Sequence, residues 1–339
     1  LSHIHVQLMR IPQSALKYVE SIEGVTDVQG RISFDVPLKT DDEEGKVRIR
    51  IISLPAGGGK VNRLYSPKPI DDITQGNAIL IRQFAEARNI KPGDIIEPYI
   101  NGREHSLKVA DAASSSEFVY LMENEQNMMP APEKFGVAYV TEEFAQSVYG
   151  YKGSYNELLI RVKDEDMIDD VADELEERLD KYGVKRIIKR EDQLSNKILS
   201  QELKGLDTMA AAIPVLFLVV AAIIISIVLS RMVSNDRMSI GVLKALGYSK
   251  SAIAYKYILY SLFASLLGCI LGIAVGFTVF PTVVFNAYGI IYMLPPVNLH
   301  FDTFLAFATS LVAVMLTTLT SYLACSNEFK ETTAALMRP

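Results

Sequence analysis

Apolar and polar residues alternate over residues 3–9, with Ile4, Val6 and Leu8 on one side and His3, His5 and Gln7 on the other. This predicts a strand with one buried and one solvated face. Pro12 opens a helical stretch over 14–22 that Gly24 ends, and strands follow at 28–36 and 47–54. The same succession returns later. A strand at 157–162 leads into a charged amphipathic helix at 164–182, then Gly183 and a strand at 184–190. Helix, Gly-Val and strand thus occur twice, at Gly24-Val25 and Gly183-Val184. A repeated β-α-β pattern of this kind builds a two-layer α+β domain.

Between the two halves lies an insertion, residues 55–136, with its own punctuation. A strand at 78–81, a helix at 83–89 and the turn Lys91-Pro92-Gly93-Asp94 precede two runs, 95–100 and 104–109. Asn101-Gly102 joins these runs as a type I′ hairpin, and Pro98 puts them at a sheet edge. Residues 112–132 read as loop-rich, with Met128 and Met129 as gap fillers. The acidic stretch 40–45 reads as a solvated hairpin loop.

The period changes near residue 194. Ile198, Leu199, Leu203 and Leu206 recur at helical spacing, which predicts a stalk over 191–208 ahead of three uncharged runs. These runs, 209–230, 257–280 and 303–325, are each long enough to cross a hydrocarbon core; the first would span about 33 Å as a helix. In the second, Ala264, Gly268, Gly272 and Gly276 repeat every four residues, a helix-packing face. Between the first two runs, Met238, Val242 and Leu246 recur beside Ile240 and Leu243, while Arg237 and Lys244 share another face. A short interfacial helix over 236–248 follows, with Gly247 as its stop and Ser249 as the cap of the next helix.

Composition divides at the same place. Of 34 Lys and Arg and 40 Asp and Glu, only Arg231, Arg237, Lys244, Lys250, Lys256, Lys330, Arg338, Asp236, Asp302, Glu328 and Glu331 lie after residue 208. An acidic first part is therefore joined to a weakly basic, apolar second part. The basic loop 231–256 should face the cytoplasm, which puts residues 1–208 and the loop 281–302 outside and the C-terminus inside, in a cell membrane. An outer domain ahead of the first span implies a translocating helix before Leu1, and the final ETTAALMRP implies continuation into a further unit. No basic face points to nucleic acid. Cys269 and Cys325 fall in apolar runs and give neither a disulfide framework nor metal spacing. His3 and His5 lack an evident third ligand. Gly57-Gly58-Gly59-Lys60 fails the phosphate-loop spacing because Val61 follows the lysine. No nucleophile–base grouping or HExxH motif emerges, so the chain is not expected to be an enzyme. The absence of charge in the spans disfavours an ion-coupled carrier.

The segment NDRMSIGVLKALGYSKSAI, and most closely residues 240–247, resembles the signature of the FtsX-like (MacB-type) permeases of ABC transporters. The helix, Lys-Pro-Gly-Asp and hairpin order resembles the small β-rich subdomain of their extracytoplasmic domains. Ser239 stands where many relatives carry Glu or Gln. The resemblance implies an α+β extracytoplasmic domain, with an inserted β-rich lobe, joined to a three-span helical unit. Residues 236–248 would then be a coupling helix that docks on a separate ABC ATP-binding subunit, which binds the ATP, so this chain would hold no cofactor. Ile240, Leu243 and Leu246 would form the apolar anchor, Arg237 and Lys244 the charged rim, and Gly241 and Gly247 the close approach and the turn. A second permease unit, as homodimer or tandem repeat, and the bilayer would be its other partners. The work implied is export, lipid or lipoprotein handling, or mechanical transmission across the envelope. A membrane-anchored outer sensor or adhesion module without an ATPase is the alternative from a different class.

Overall fold

The computed structural model describes residues 1–40, 46–66, 73–124, 126, 129–289, 291–293 and 300–328. The acidic stretch 41–45, Met128 and residues 331–339 lie outside these, so the expectations that fall there are not addressed. Two compact units are present: Leu1–Glu202 with Gly289–Pro295, and Leu203–Tyr288 with Pro296–Pro339.

The first unit starts with β1 (Ile4–Pro12), α1 (Leu16–Glu20) and β2 (Val25–Arg31). It then crosses into β3 (Ser33–Pro37), β4 (Arg48–Leu54), β5 (Leu64–Tyr65), β6 (Asn77–Ile81) and α2 (Arg82–Ala87). Next come β7 (Ile95–Ile96), β8 (Tyr99–Ile100), β9 (Arg103–Glu104), β10 (Leu107–Ser115), β11 (Phe135–Thr141) and α3 (Glu142–Tyr149). The chain returns through β12 (Ser154–Val162), α4 (Ile168–Leu179) and β13 (Val184–Lys189).

The first sheet has the order β13-β1-β12-β2, with every neighbouring pair antiparallel. Each half, β1-α1-β2 and β12-α4-β13, leaves a gap that a strand of the other half fills. That interlocking is the split β-α-β arrangement of ferredoxin-like domains. The gap explains why neither half could stand alone. Gly24 and Gly183 both sit at positive φ, where the chain turns from helix to strand.

The second sheet is mixed, ordered β3-β4-β11-β6-β10-β5 with β7 paired to β10. It takes strands from Ser33 to Thr141, a wider range than 55–136. The expected strand 28–36 is in fact two strands in two sheets, divided at the fully buried Ile32. Alternation conceals the division because both pieces are extended. Ile32 N–H donates to Ser53 Oγ at 2.8 Å, and Ser53 N–H donates to the Ile32 carbonyl at 2.9 Å. Asn156 brackets the next residue, accepting from Ser33 N–H and donating to the Ser33 carbonyl, both at 2.8 Å. Side chains thus supply the pairing that the crossing backbone gives up. The β8–β9 hairpin has Asn101 and Gly102 at φ 48° and 78°, as a type I′ turn requires.

His5 corrects another expectation. It lies on the face of β1 read as solvated, yet it is buried, because that face is covered.

Expected stalk and first span form one continuous helix, α5 (Leu194–Asn235), with Pro214 inside it. It is followed by α6 (Arg237–Ala245), α7 (Lys250–Tyr288) and α8 (Thr303–Glu328). Helix α7 runs on through Pro281 to Tyr288, so the connection to α8 begins at Gly289 rather than at residue 281. The apolar run 282–285, TVVF, continues the helical surface, and an apolar environment tolerates a helical proline. Helices α5, α7 and α8 are each long and apolar enough to cross a membrane.

Candidate functional site

Helix α6 is held by its own neighbours before it can present anything to a partner. Asp236 precedes it, and its Oδ2 accepts from Lys256 Nζ at 3.0 Å and from Tyr257 OH at 2.9 Å. The ammonium of Lys256 and then the Tyr257 hydroxyl hold the Asp236 carboxyl below its ordinary range. One carboxylate therefore ties the junction of α5 and α6 to α7. Beneath it, Leu229, Val233, Ile240, Ile253, Tyr257, Ala324 and Cys325 form one buried cluster, with Leu243 packed against it.

The far end of α6 is closed by Gly247 at φ +91°, where Gly247 N–H donates to the Lys244 carbonyl and Tyr248 N–H to the Leu243 carbonyl. A side chain at that φ would be strained, which is why glycine stops this helix. Ser249 Oγ then accepts from Ala252 N–H and caps α7, as its position in the sequence suggests.

The predicted anchor residues do not act as one face. Ile240 is 2% exposed, Gly241 is buried and Leu243 is half-buried, all turned toward their own bundle. Leu246, at 70% exposure, points away, together with Met238, Val242 and Tyr248. Arg237 and Lys244 are half-buried, on the side of α6 that carries Ile240 and Gly241. Met238, Val242 and Leu246 are spaced by four, and that spacing was the available signal for a second, outward stripe. Ile240 and Gly241 are buried within their own unit.

In α7, the row Ser261, Ser265, Cys269 and Phe277 is turned to neighbours in this unit. Ser265 Oγ lies 2.6 Å from Thr317 Oγ1, and the Phe277 ring centroid is 4.5 Å from that of Phe301. The adjacent row Ala264, Gly268, Gly272 and Gly276 is exposed. Among the described residues, nothing lies within 4 Å of where a Cβ would stand on any of the three glycines.

The first unit holds a polar site that the sequence did not announce. Arg31, 3% exposed, donates from Nε to Glu157 Oε2 at 2.7 Å and from Nη1 and Nη2 to the two oxygens of Glu117 at 2.7 and 2.6 Å. His5 Nε2 lies 3.2 Å from Glu157 Oε2, and Asn62 Nδ2 donates to Glu117 Oε2 at 3.0 Å. Burial alone would raise the Glu157 carboxyl, but the charge of Arg31, with the His5 hydrogen bond beside it, outweighs burial and holds Glu157 well below the usual carboxylate range. Glu117 is lowered for the same reason, burial again being opposed chiefly by Arg31. A cleft of about 470 Å³ opens beside the network, lined by His5, Gln7, Arg50, Glu117, Arg186 and Gln193 among others. Arg31 and Glu157 belong to the first sheet, whereas Glu117 and Asn62 come from the inserted chain. No local pattern announces this network, since Glu117 lies 86 residues from Arg31 in sequence.

No curated protein matches the chain. The chain is similar to the extracellular domain of the noncanonic ABC-type transporter YknZ from Gram-positive bacteria, at 14% identity and TM-score 0.36, covering 54% of this chain and 99% of that one. It is also similar to the periplasmic region of MacB from Actinobacillus actinomycetemcomitans, at 10% identity and TM-score 0.34, covering 59% and 92%. A domain of a putative permease protein from Porphyromonas gingivalis follows at 10% identity and TM-score 0.32, covering 52% and 84%. The family model of the FtsX-like permease C-terminal domain matches residues 211–331, which include all of α6, α7 and α8. With three helices of membrane-crossing length and a match of that kind, this is a membrane protein whose residues 211–331 are similar to the FtsX-like permease C-terminal domain.

Proposed function

We propose that the chain is the permease subunit of an ABC-type complex in which α6 docks on a separate ATP-binding subunit. The observation that carries this reading is the divided surface of α6. One face is fixed into its own bundle through Ile240 and Asp236, while Met238, Val242, Leu246 and Tyr248 remain outward as an apolar patch. A short helix anchored on one side and apolar on the other is suited to receive a protein partner. The partner would bind and hydrolyse ATP, and no catalytic group is assigned to this chain.

In this reading the loop 231–256 is cytoplasmic, because its five basic residues face one acid, and the Leu1–Glu202 unit is outside. Movement of α6 would pass through the Asp236 clamp to α7 and along α5 toward the outer sheets. The work done there would be export, lipid or lipoprotein handling, or mechanical transmission. The open glycine row of α7 would receive a second permease unit.

The test is affinity purification of the protein from its own membranes, with identification of what accompanies it. An ATP-binding subunit should be recovered, and it should be lost when Met238 and Val242 are both changed to Asp while insertion into the membrane is kept. If the unsubstituted protein brings down no ATPase in mild detergent, the coupling reading fails and an anchored outer sensor takes its place.

A further inference from the structure

Residues 117–123, read from sequence as part of a loop-rich region, are instead attached at nearly every position, and to different elements. Glu117 takes the buried guanidinium of Arg31 at the end of β2. The Phe118 carbonyl accepts from Gln83 Nε2 of α2 at 2.7 Å. The Val119 carbonyl accepts from Met293 N–H at 2.9 Å, in the connection that follows α7. Tyr120 N–H donates to Ser195 Oγ at 2.9 Å, in the first turn of α5, and its ring lies 5.1 Å from that of Tyr292. Leu121 and Met122 are buried. Glu123 closes the set, with Oε1 taking Arg48 Nη1 at 2.7 Å and its carbonyl taking Arg50 Nη2 at 3.2 Å, both arginines on β4.

We propose that this seven-residue strap is the relay of the outer unit: it gathers displacement from the start of α5 and from the connection 289–293 and delivers it to both sheets. The inference rests on the reading of the chain as an ATPase-driven permease. Its physical basis is that α5 and the connection reach the strap through adjacent residues, Tyr120 and Val119. The first sheet is gripped through a charge pair buried enough to resist water, and the second through Arg48 and Arg50. Tyr120 and Ser195 are positioning residues in this scheme. Neither belongs to α6 or to its buried cluster, so in this scheme their substitution leaves ATP hydrolysis by the partner as it was.

The experiment uses the complex purified with its ATPase and placed in lipid nanodiscs, with Cys269 and Cys325 replaced. Spin labels at Arg103 and Asp302 report the distance from the β8–β9 hairpin to the start of α8, with and without MgATP and vanadate. The unsubstituted complex should show a nucleotide-driven change in that distance. Ser195→Ala combined with Tyr120→Ala should abolish the change while the hydrolysis rate stays as it was. Ser195→Thr combined with Tyr120→Phe keeps the acceptor, the N–H and the ring, and should retain the change. Where the double alanine variant fails to fold, Ser195→Ala alone, which removes one hydroxyl, carries the comparison. A full distance change in the alanine variants overturns the relay and leaves the permease reading standing. ATP hydrolysis with no distance change in the unsubstituted complex overturns both.

Discussion

Arg31 is the side chain on which the polar centre of the first unit depends, since its guanidinium is ion-paired with both Glu117 and Glu157. Removing one partner from a buried ion pair leaves the other charge uncompensated. Arg31→Met should therefore lower the opening free energy of β2 and β12 amides by roughly 3–5 kcal/mol, read by native-state hydrogen exchange. The pH dependence follows from the same pair. Both carboxyls are held below their ordinary range in the folded protein, so the unfolded chain takes up protons first as the solution is acidified. Their stabilisation is complete above about pH 4.5 and is lost as pH falls from there through the folded values. Hydrogen exchange of the same strands between neutral and acid pH should show this decline, and Glu117→Gln should make it shallower; a slope unchanged by that substitution would remove Glu117 from the account. None of this was legible locally. The alternation of residues 3–9 identified the strand and its buried face, but whether His5 meets water depends on a strap more than 100 residues later, and no periodicity encodes such a cover.

Among the elements, those with strong local signals were read closely: the Asn101-Gly102 hairpin, the Gly24 and Gly183 turns and the Ser249 cap each follow from backbone requirements of one or two residues. Helix α6 was legible as an element but not in its orientation, because its apolar residues occupy two faces and sequence cannot say which one the bundle takes. The structure separates them, and substitution should do the same. Ile240→Asp places a charge in the cluster of Leu229, Val233 and Tyr257, and should reduce the yield of folded protein in membranes. Val242→Asp alters an exposed position, and should leave yield unchanged while weakening recovery of the ATPase. Equal effects of the two on yield would mean that the faces are not distinct. The crossing at Ile32 escaped sequence reading for a related reason, since an extended chain looks the same whichever sheet receives it.

For the molecule as a whole, the division into an acidic first part and a weakly basic apolar second part was legible from charge alone, and the repeated β-α-β pattern from the Gly-Val turns. The interlocking of the two halves was not, because strand order depends on which gap each strand fills. At this scale the open row on α7 makes the assembly testable. Gly272→Cys, in a background without Cys269 and Cys325, should form a disulfide-linked pair of chains in membranes if two copies meet along that row, whereas Ile273→Cys, one position round the helix, should not. Monomer only from both would point to a different neighbour on α7.

The crossing at Ile32 also bears on how such a chain could have come about. Arg31 and Glu157 are register partners on adjacent antiparallel strands, so the inserted chain leaves and re-enters the first sheet at nearly the same place. Without it, β2 and β12 would be joined by an ordinary hairpin, and the four-stranded unit would still have every strand and both helices. The second sheet therefore occupies the position of an elongated turn, where closing even a long excursion adds little entropy cost. Lineage after lineage could replace, lengthen or shed that excursion while keeping the same four strands, and what the outer unit meets could diversify without the membrane machinery having to change with it.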